Sequence, residues 1–161
     1  MTAKRVLDFG TLPQNQLRIK MMKSTLLLTS LLFIGFAKSH AQSFNLKVSN
    51  VKNTAILRVA FYKKENKFPD EGKFAFAKEV KPTKTGEVTL TFTDIPAGEY
   101  ALAIYQDSNG NKKLDTNLVG YPKEPFGFSQ NIKPKFSAPA YEECKIVFNA
   151  NNTTFSIKLI D

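Results

Sequence analysis

Four side chains in one short stretch carry hard oxygen donors at alternating positions: Asp107, Asn109, Asn111 and Asp115. Counted from Asp107 these are positions 1, 3, 5 and 9, and Lys113 at position 7 offers a backbone carbonyl to the same point. A calcium ion takes six to eight oxygens at ~2.3–2.6 Å, and this spacing delivers about five before water is counted. The chemistry expected of the loop is therefore a Ca²⁺ site of modest affinity. Glu124, in the next loop, supplies the missing acid if the chain folds back. The stretch departs from the helix–loop–helix calcium motif, with Lys112 where that motif has glycine, Leu118 where it has a bidentate acid, and no helical pattern on either side. The same residues also spell a sharp turn, because Asn and Asp cap their own backbone and Gly110 accepts positive φ. Cation site and Asx-rich turn both stand on the sequence.

Little else in the chain is equipped for catalysis. Two carboxylates run glycoside hydrolysis when ~5–9.5 Å apart across a cleft, but Asp107 with Asp115, or Asp115 with Glu124, fall on or beside one tight turn. The one histidine, His40, lies in a leader, so no Ser–His or Cys–His relay can be built. Cys144, beside Glu142 and Glu143, has nothing to stabilise a thiolate and is expected to be a buried, inert residue. The chain is thus expected to be no enzyme. The segment Gly120–Ser129 is stiffened by two prolines and carries Tyr121, Phe126 and Phe128, more apolar surface than a solvated loop needs. It is a candidate partner-binding surface, or else a plug over the end of the core.

The elements that must position these residues read as strands. Phe44, Leu46 and Val48 alternate with polar residues, as do Val88, Leu90 and Phe92. Leu57, Val59 and Phe61 alternate with Arg58, Ala60 and Tyr62; Tyr100, Leu102 and Ile104 alternate with Ala101, Ala103 and Tyr105. Ile146 with Phe148, and Phe155 with Ile157 and Leu159, complete six or seven strands. Turn residues at Lys81–Gly86, Ile95–Gly98 and Asn149–Asn152 separate them, and Glu65–Phe76 has room for one short helical turn. This predicts an all-β protein: one antiparallel β-sandwich of about seven strands, immunoglobulin-like or transthyretin-like, over residues 42–161.

Residues 1–41 read as an N-terminal extension and signal peptide. Lys23 precedes an apolar run from Leu26 to Phe36, and Ser39 and Ala41 place cleavage after Ala41. The run is short of the ~20 residues that span a bilayer, so no membrane span is expected after cleavage. Removing the leader takes six of the 23 basic and one of the 14 acidic residues, leaving 17 and 13, a net +4 in place of +9. With Arg58 the only remaining arginine and no run of like charge, nucleic acid is not an expected partner. An exported domain with one cysteine has no internal disulfide and must rest on a hydrophobic core, which a chain of this size can bury.

The run from Pro96 to Ser129, P-A-G-E-Y-A-L-A-I-Y-Q-D-S-N-G-N-K-K-L-D-T-N-L-V-G-Y-P-K-E-P-F-G-F-S, resembles the signature of an exported bacterial family called domain of unknown function 2141. The resemblance extends through the leader and the terminal strand Phe155–Ile160. It departs at Lys112, where glycine is common, and at Tyr105–Gln106, where a histidine often precedes the aspartate. The turn Ile95–Tyr100 is more loosely similar to transthyretin-like and carboxypeptidase-regulatory-like modules. The resemblance implies location and fold rather than an activity. The function expected is that of a monomeric, non-enzymatic envelope protein, periplasmic or secreted, acting as a cation-stabilised binding module for an envelope protein or small ligand. A small apolar-ligand carrier is the main alternative, suggested by 14 phenylalanines, and a carboxylate-dependent hydrolase the lesser one.

Overall fold

Period-two alternation places one face of each strand in a shared interior, and the computed structural model, which describes residues 42–135 and 137–161, shows eight such strands. The leader lies outside the described residues. The strands are β1 (Phe44–Val51), β2 (Ile56–Tyr62), β3 (Phe76–Val80), β4 (Gly86–Phe92), β5 (Gly98–Asp107), β6 (Phe126–Phe128), β7 (Lys145–Phe148) and β8 (Thr154–Lys158). One sheet has the order β4-β1-β8 and the other β3-β2-β5-β6, with β7 also on β5. The two sheets pack face to face as a β-sandwich. Every pairing is antiparallel except that of β1 with β8, the first and last strands, which run parallel.

Aromatic rings fill much of the interior. Phe44 sits with its ring centroid 5.1 Å from Phe61, 5.1 Å from Phe148 and 4.8 Å from Phe155, and Leu46, Leu57, Leu102, Ile157 and Leu159 are fully buried around it. The alternation of β1 holds to Val48 and then slips: the pairing with β4 shifts register between Val48 and Val51, and Asn50 takes φ 65°. This bulge lets Val48 and Val51 both face inward, three residues apart. Tyr100, at the start of β5, is buried and donates its hydroxyl to the Pro96 carbonyl at 2.9 Å, which locks the Ile95–Gly98 turn.

Three elements differ from the pattern read in the sequence. Residues 65–75 form turns rather than a helical turn, and Phe76 opens β3, whose Phe76 and Val80 pack on the core. The aromatic segment after Pro125 is a strand, β6, because Phe126–Phe128 completes the ladder along the second half of β5. A single helical turn, α1 (Tyr141–Cys144), precedes β7, its first N–H capped by Glu143 reaching back to the amide of Ala140 at 2.7 Å. Strands β6 and β7 share one edge of β5, and at the break between them the buried Ser129 hydroxyl accepts from the Leu102 N–H at 2.9 Å and donates to the Cys144 carbonyl. A side chain thus replaces the missing ladder partner, leaving no orphan group in the middle of the sheet.

Candidate functional site

The oxygen-rich loop leaves β5 at Asp107, and its backbone is held by its own side chains. Asp107 Oδ1 accepts from the Gly110 N–H at 2.8 Å, and Oδ2 from the Lys112 N–H at 3.0 Å and from Arg58 Nε at 2.7 Å. Gly110 at φ 74° and Lys112 at φ 67° supply the left-handed turns that bring those amides round, and Lys112 does so without the freedom of glycine. Asn109 and Asn111 each cap the amide two residues on, at 3.1 and 2.8 Å, the latter being that of Lys113. Their amide nitrogens both donate to Asp115 Oδ2, at 2.7 and 2.9 Å. The chain folds back as the Glu124 reading required: Glu124 is buried, accepting from Ser108 N–H at 2.7 Å and more weakly from Asp115 N–H at 3.4 Å.

The structure divides five of the six candidate residues, and the sixth, Lys113, lies exposed with its N–H on Asn111 Oδ1. Asn109, Asn111 and Asp115 meet at one point on the surface, whereas Asp107 and Glu124 turn inward and spend their oxygens on backbone amides and, for Asp107, on Arg58. Among the described residues no group of three or more His, Cys, Asp or Glu side chains is arranged to hold a metal ion. Burial pushes the Asp107 carboxyl upward, but the Arg58 guanidinium and the Lys112 and Gly110 amides outweigh it and hold the group below the usual carboxylate range. Cys144 is fully buried, and burial, with Glu143 adding to it, pushes its thiol up to about 12. Of the three aromatic residues read as a partner surface, Tyr121 is 42% exposed, with its ring 5.6 Å from Phe126, while Phe126 and Phe128 are buried.

Those two phenylalanines line a groove that no single strand announces. On the outer face of the larger sheet, register places Ala77, Ala60, Ala103 and Phe128 in one row across β3, β2, β5 and β6. Three consecutive methyl groups make a floor. The row on one side is Glu79, Arg58, Tyr105 and Phe126, and on the other Tyr62 faces Ala101. Adjacent rows lie two residues apart along each strand, ~6.7 Å, so the larger side chains stand as walls on both sides, and three strands give a floor ~10 Å long. Phe74, Pro69, Lys112 and Leu114 complete a cavity of about 320 Å³, within the range of small-molecule sites. The oxygen-rich loop contributes the last two, so its tight turn serves to set Lys112 and Leu114 at the groove's rim.

A larger depression of about 600 Å³ lies between β7 and β8, but side-chain amides already fill its edges: Gln130 donates to Lys145 O at 2.9 Å, Asn152 to Val147 O at 2.9 Å, and Asn131 accepts from Lys158 N–H at 2.7 Å. These contacts blunt two strand edges. Among the described residues no side-chain amide fills the alanine-floored groove. Its tyrosines are part of the wall rather than acids or bases: burial, with smaller contributions from nearby charges, pushes both Tyr62 and Tyr105 up to about 12, and the Tyr62 hydroxyl is held by the carbonyls of Pro69 and Asp70 at 3.1 and 3.0 Å.

No curated protein and no solved structure matches the chain. No helix among the described residues is long and apolar enough to cross a membrane. Residues 46–156, which span β1 to β8 together with the loop and the groove, match the family model described as an uncharacterized protein conserved in bacteria, and on that match the chain belongs to the DUF2141 family.

Proposed function

We propose that the protein is an exported, non-enzymatic binding module that holds a small apolar ligand in the alanine-floored groove on the outside of its larger sheet. The observation that carries this reading is the register row Ala77–Ala60–Ala103, three minimal side chains on three neighbouring strands, walled by aromatic rings. An outward sheet face normally carries polar side chains, so a row of methyl groups between aromatic walls leaves apolar surface that a ligand can cover. The phenylalanines that suggested a carrier pack against one another, and the depression between β7 and β8, which reaches Leu46, Leu102 and Ile157, is edged by side-chain amides already bonded to backbone. Export rests on the leader read in residues 1–41.

The test is titration of the full chain with N-phenyl-1-naphthylamine, an uncharged dye that brightens in apolar surroundings. Binding in the low micromolar range is expected, with at least a tenfold loss in Ala60→Leu, whose side chain fills the floor from outside the core and leaves the melting temperature within a degree or two. Equal binding by the two proteins would place the dye elsewhere and remove the groove from consideration.

A second reading concerns the loop, and the meeting of Asn109, Asn111 and Asp115 supports it. We propose that this point takes a calcium ion weakly, because rotating the two amides, at the expense of their caps on the Asn111 and Lys113 N–H groups, turns their oxygens towards Asp115 Oδ2 while Asp107 and Glu124 remain committed. One carboxylate and two amides suit a millimolar Kd. With a Kd of ~1 mM, 10 mM calcium adds about 1.4 kcal/mol to the unfolding free energy. The gain should vanish in Asp115→Ala; a parent protein indifferent to 10 mM calcium has no such site.

A further inference from the structure

The charges round the groove point to what it selects. Arg58 lies in the wall row with its side chain largely covered, Nε on Asp107 and Nη1 on Glu79. Lys78, between Ala77 and Glu79 on β3, alternates to the face of Phe76 and Val80 and is paired there with Asp94. Among the described residues Lys112 and Glu71 make no ion pair, and they stand at the rim with opposite signs. Counting the charged groups on this face and their partners, two cations face three carboxylates. An arginine already serving two carboxylates brings no net positive charge to a third, so an anionic ligand finds no attraction there. A cation finds the Asp107 and Glu79 carboxylates already paired with Arg58, Lys112 offsetting Glu71 at the rim, and otherwise the remaining guanidinium N–H donors. Those donors are the useful feature: a guanidinium has five, and two are spent, which leaves N–H groups for a neutral acceptor.

Resting on the groove reading above, we propose that the ligand is an uncharged, flat apolar molecule with one hydrogen-bond acceptor, an amide, ketone or ester carbonyl, directed at the Arg58–Tyr105 wall. Flatness follows from the floor. Three methyl groups in one register row form a level strip ~10 Å long between walls one residue pair away on either side. Fused or conjugated rings fill that strip, whereas a branched aliphatic chain leaves voids against the aromatic walls. The single polar end follows from the asymmetry of the walls: Arg58, Glu79, Tyr105 and Lys112 on one side, Tyr62 and Phe74 on the other.

The experiment compares three molecules with the same rings and different charge, 2-naphthamide, 2-naphthoate and 2-naphthylmethylammonium, by their own fluorescence on the full chain. The expected result is that 2-naphthamide binds at least tenfold more tightly than either ion. Glu79→Gln removes one of the carboxylates on Arg58, and in that variant the affinity for 2-naphthoate should rise about tenfold while that for 2-naphthamide stays within twofold. Charged and neutral rings binding alike in the parent, with both lost in Ala60→Leu, would keep the groove and overturn its selectivity. A 2-naphthoate affinity unmoved by Glu79→Gln would overturn the role given to Arg58. If N-phenyl-1-naphthylamine itself fails to bind, the groove reading falls and this inference with it.

Discussion

Replacing Arg58 with methionine is expected to cost about 3–5 kcal/mol of stability, measured as a lower urea midpoint at an unchanged m value. The figure comes from what is left behind. The Asp107 side chain is fully shielded from solvent, and its Oδ2 shares one arginine and one backbone amide. Methionine keeps the stem's packing against the sheet and removes the charge, so the carboxylate stays buried with two amide donors and no counter-ion. The partner on the other side contributes little to this sum, because Glu79 is more than half exposed and a pair of that kind contributes no more than ~1 kcal/mol. The effect should depend on pH with a definite sign. The folded Asp107 carboxyl lies below its unfolded value, so the stability it contributes is present above the unfolded carboxylate pKa of ~3.9 and is lost as pH falls through the folded one. In Arg58→Met the burial that pushes the carboxyl upward is opposed only by the Lys112 and Gly110 amides, and acid unfolding should begin at higher pH. The gap between parent and variant should be widest near neutrality and close below about pH 4. A deficit of under 1 kcal/mol at pH 7, or one that stays constant down to pH 3, would show that Asp107 is not held as an ion by Arg58.

The sequence carried this pair only in half. Asp107 was visible as the first oxygen of the loop, since its spacing to Asn109, Asn111 and Asp115 is local, but nothing local says that β2 lies beside β5 and sets Arg58 opposite Tyr105. The sandwich itself was legible because one buried face per strand writes a period of two into the chain, as Val88, Leu90 and Phe92 do without interruption. Strand β3 escaped because Phe76, Lys78 and Val80 are only half-buried at a sheet edge, which weakens the pattern, and β6 because three residues are too few to show one. The alanine floor was beyond reach for a different reason. Ala60, Ala77 and Ala103 are each unremarkable in their own strands, and their meaning lies in the register between strands, which tertiary packing decides. Glu124 shows the intermediate case: its return to the loop was named as a condition, and the direction of its carboxylate, towards backbone amides under the loop, was fixed by burial that no spacing reveals.

Gly127→Ala is expected to destabilise the protein by about 2–3 kcal/mol and to weaken N-phenyl-1-naphthylamine binding at the same time. Gly127 lies in the middle of β6 where that strand passes over β8, and a Cβ there would stand 2.7 Å from Ile157 Cγ2 and 3.0 Å from the Lys158 carbonyl. Neither neighbour can withdraw freely. Ile157 is fully buried in the core, and the reciprocal hydrogen bonds between Phe126 and Ile160, at 2.9 and 2.7 Å, clamp the two segments together. The added methyl must therefore be relieved by moving β6 away from β8, at a cost typical of overpacking. Phe126 and Phe128 move with it, and both are groove wall, so the same substitution that strains the seam between the sheets opens the binding surface on the far side. Ile157→Ala removes the closer contact and by itself costs about 2–5 kcal/mol as a core truncation. If the clash is the cause, the double variant will be more stable than the two separate costs imply, by about 0.5–3 kcal/mol, and will recover part of the dye affinity. Strict additivity, with binding untouched in Gly127→Ala, would mean that β6 has slack over β8 and that the groove's aromatic wall is held by β5 alone.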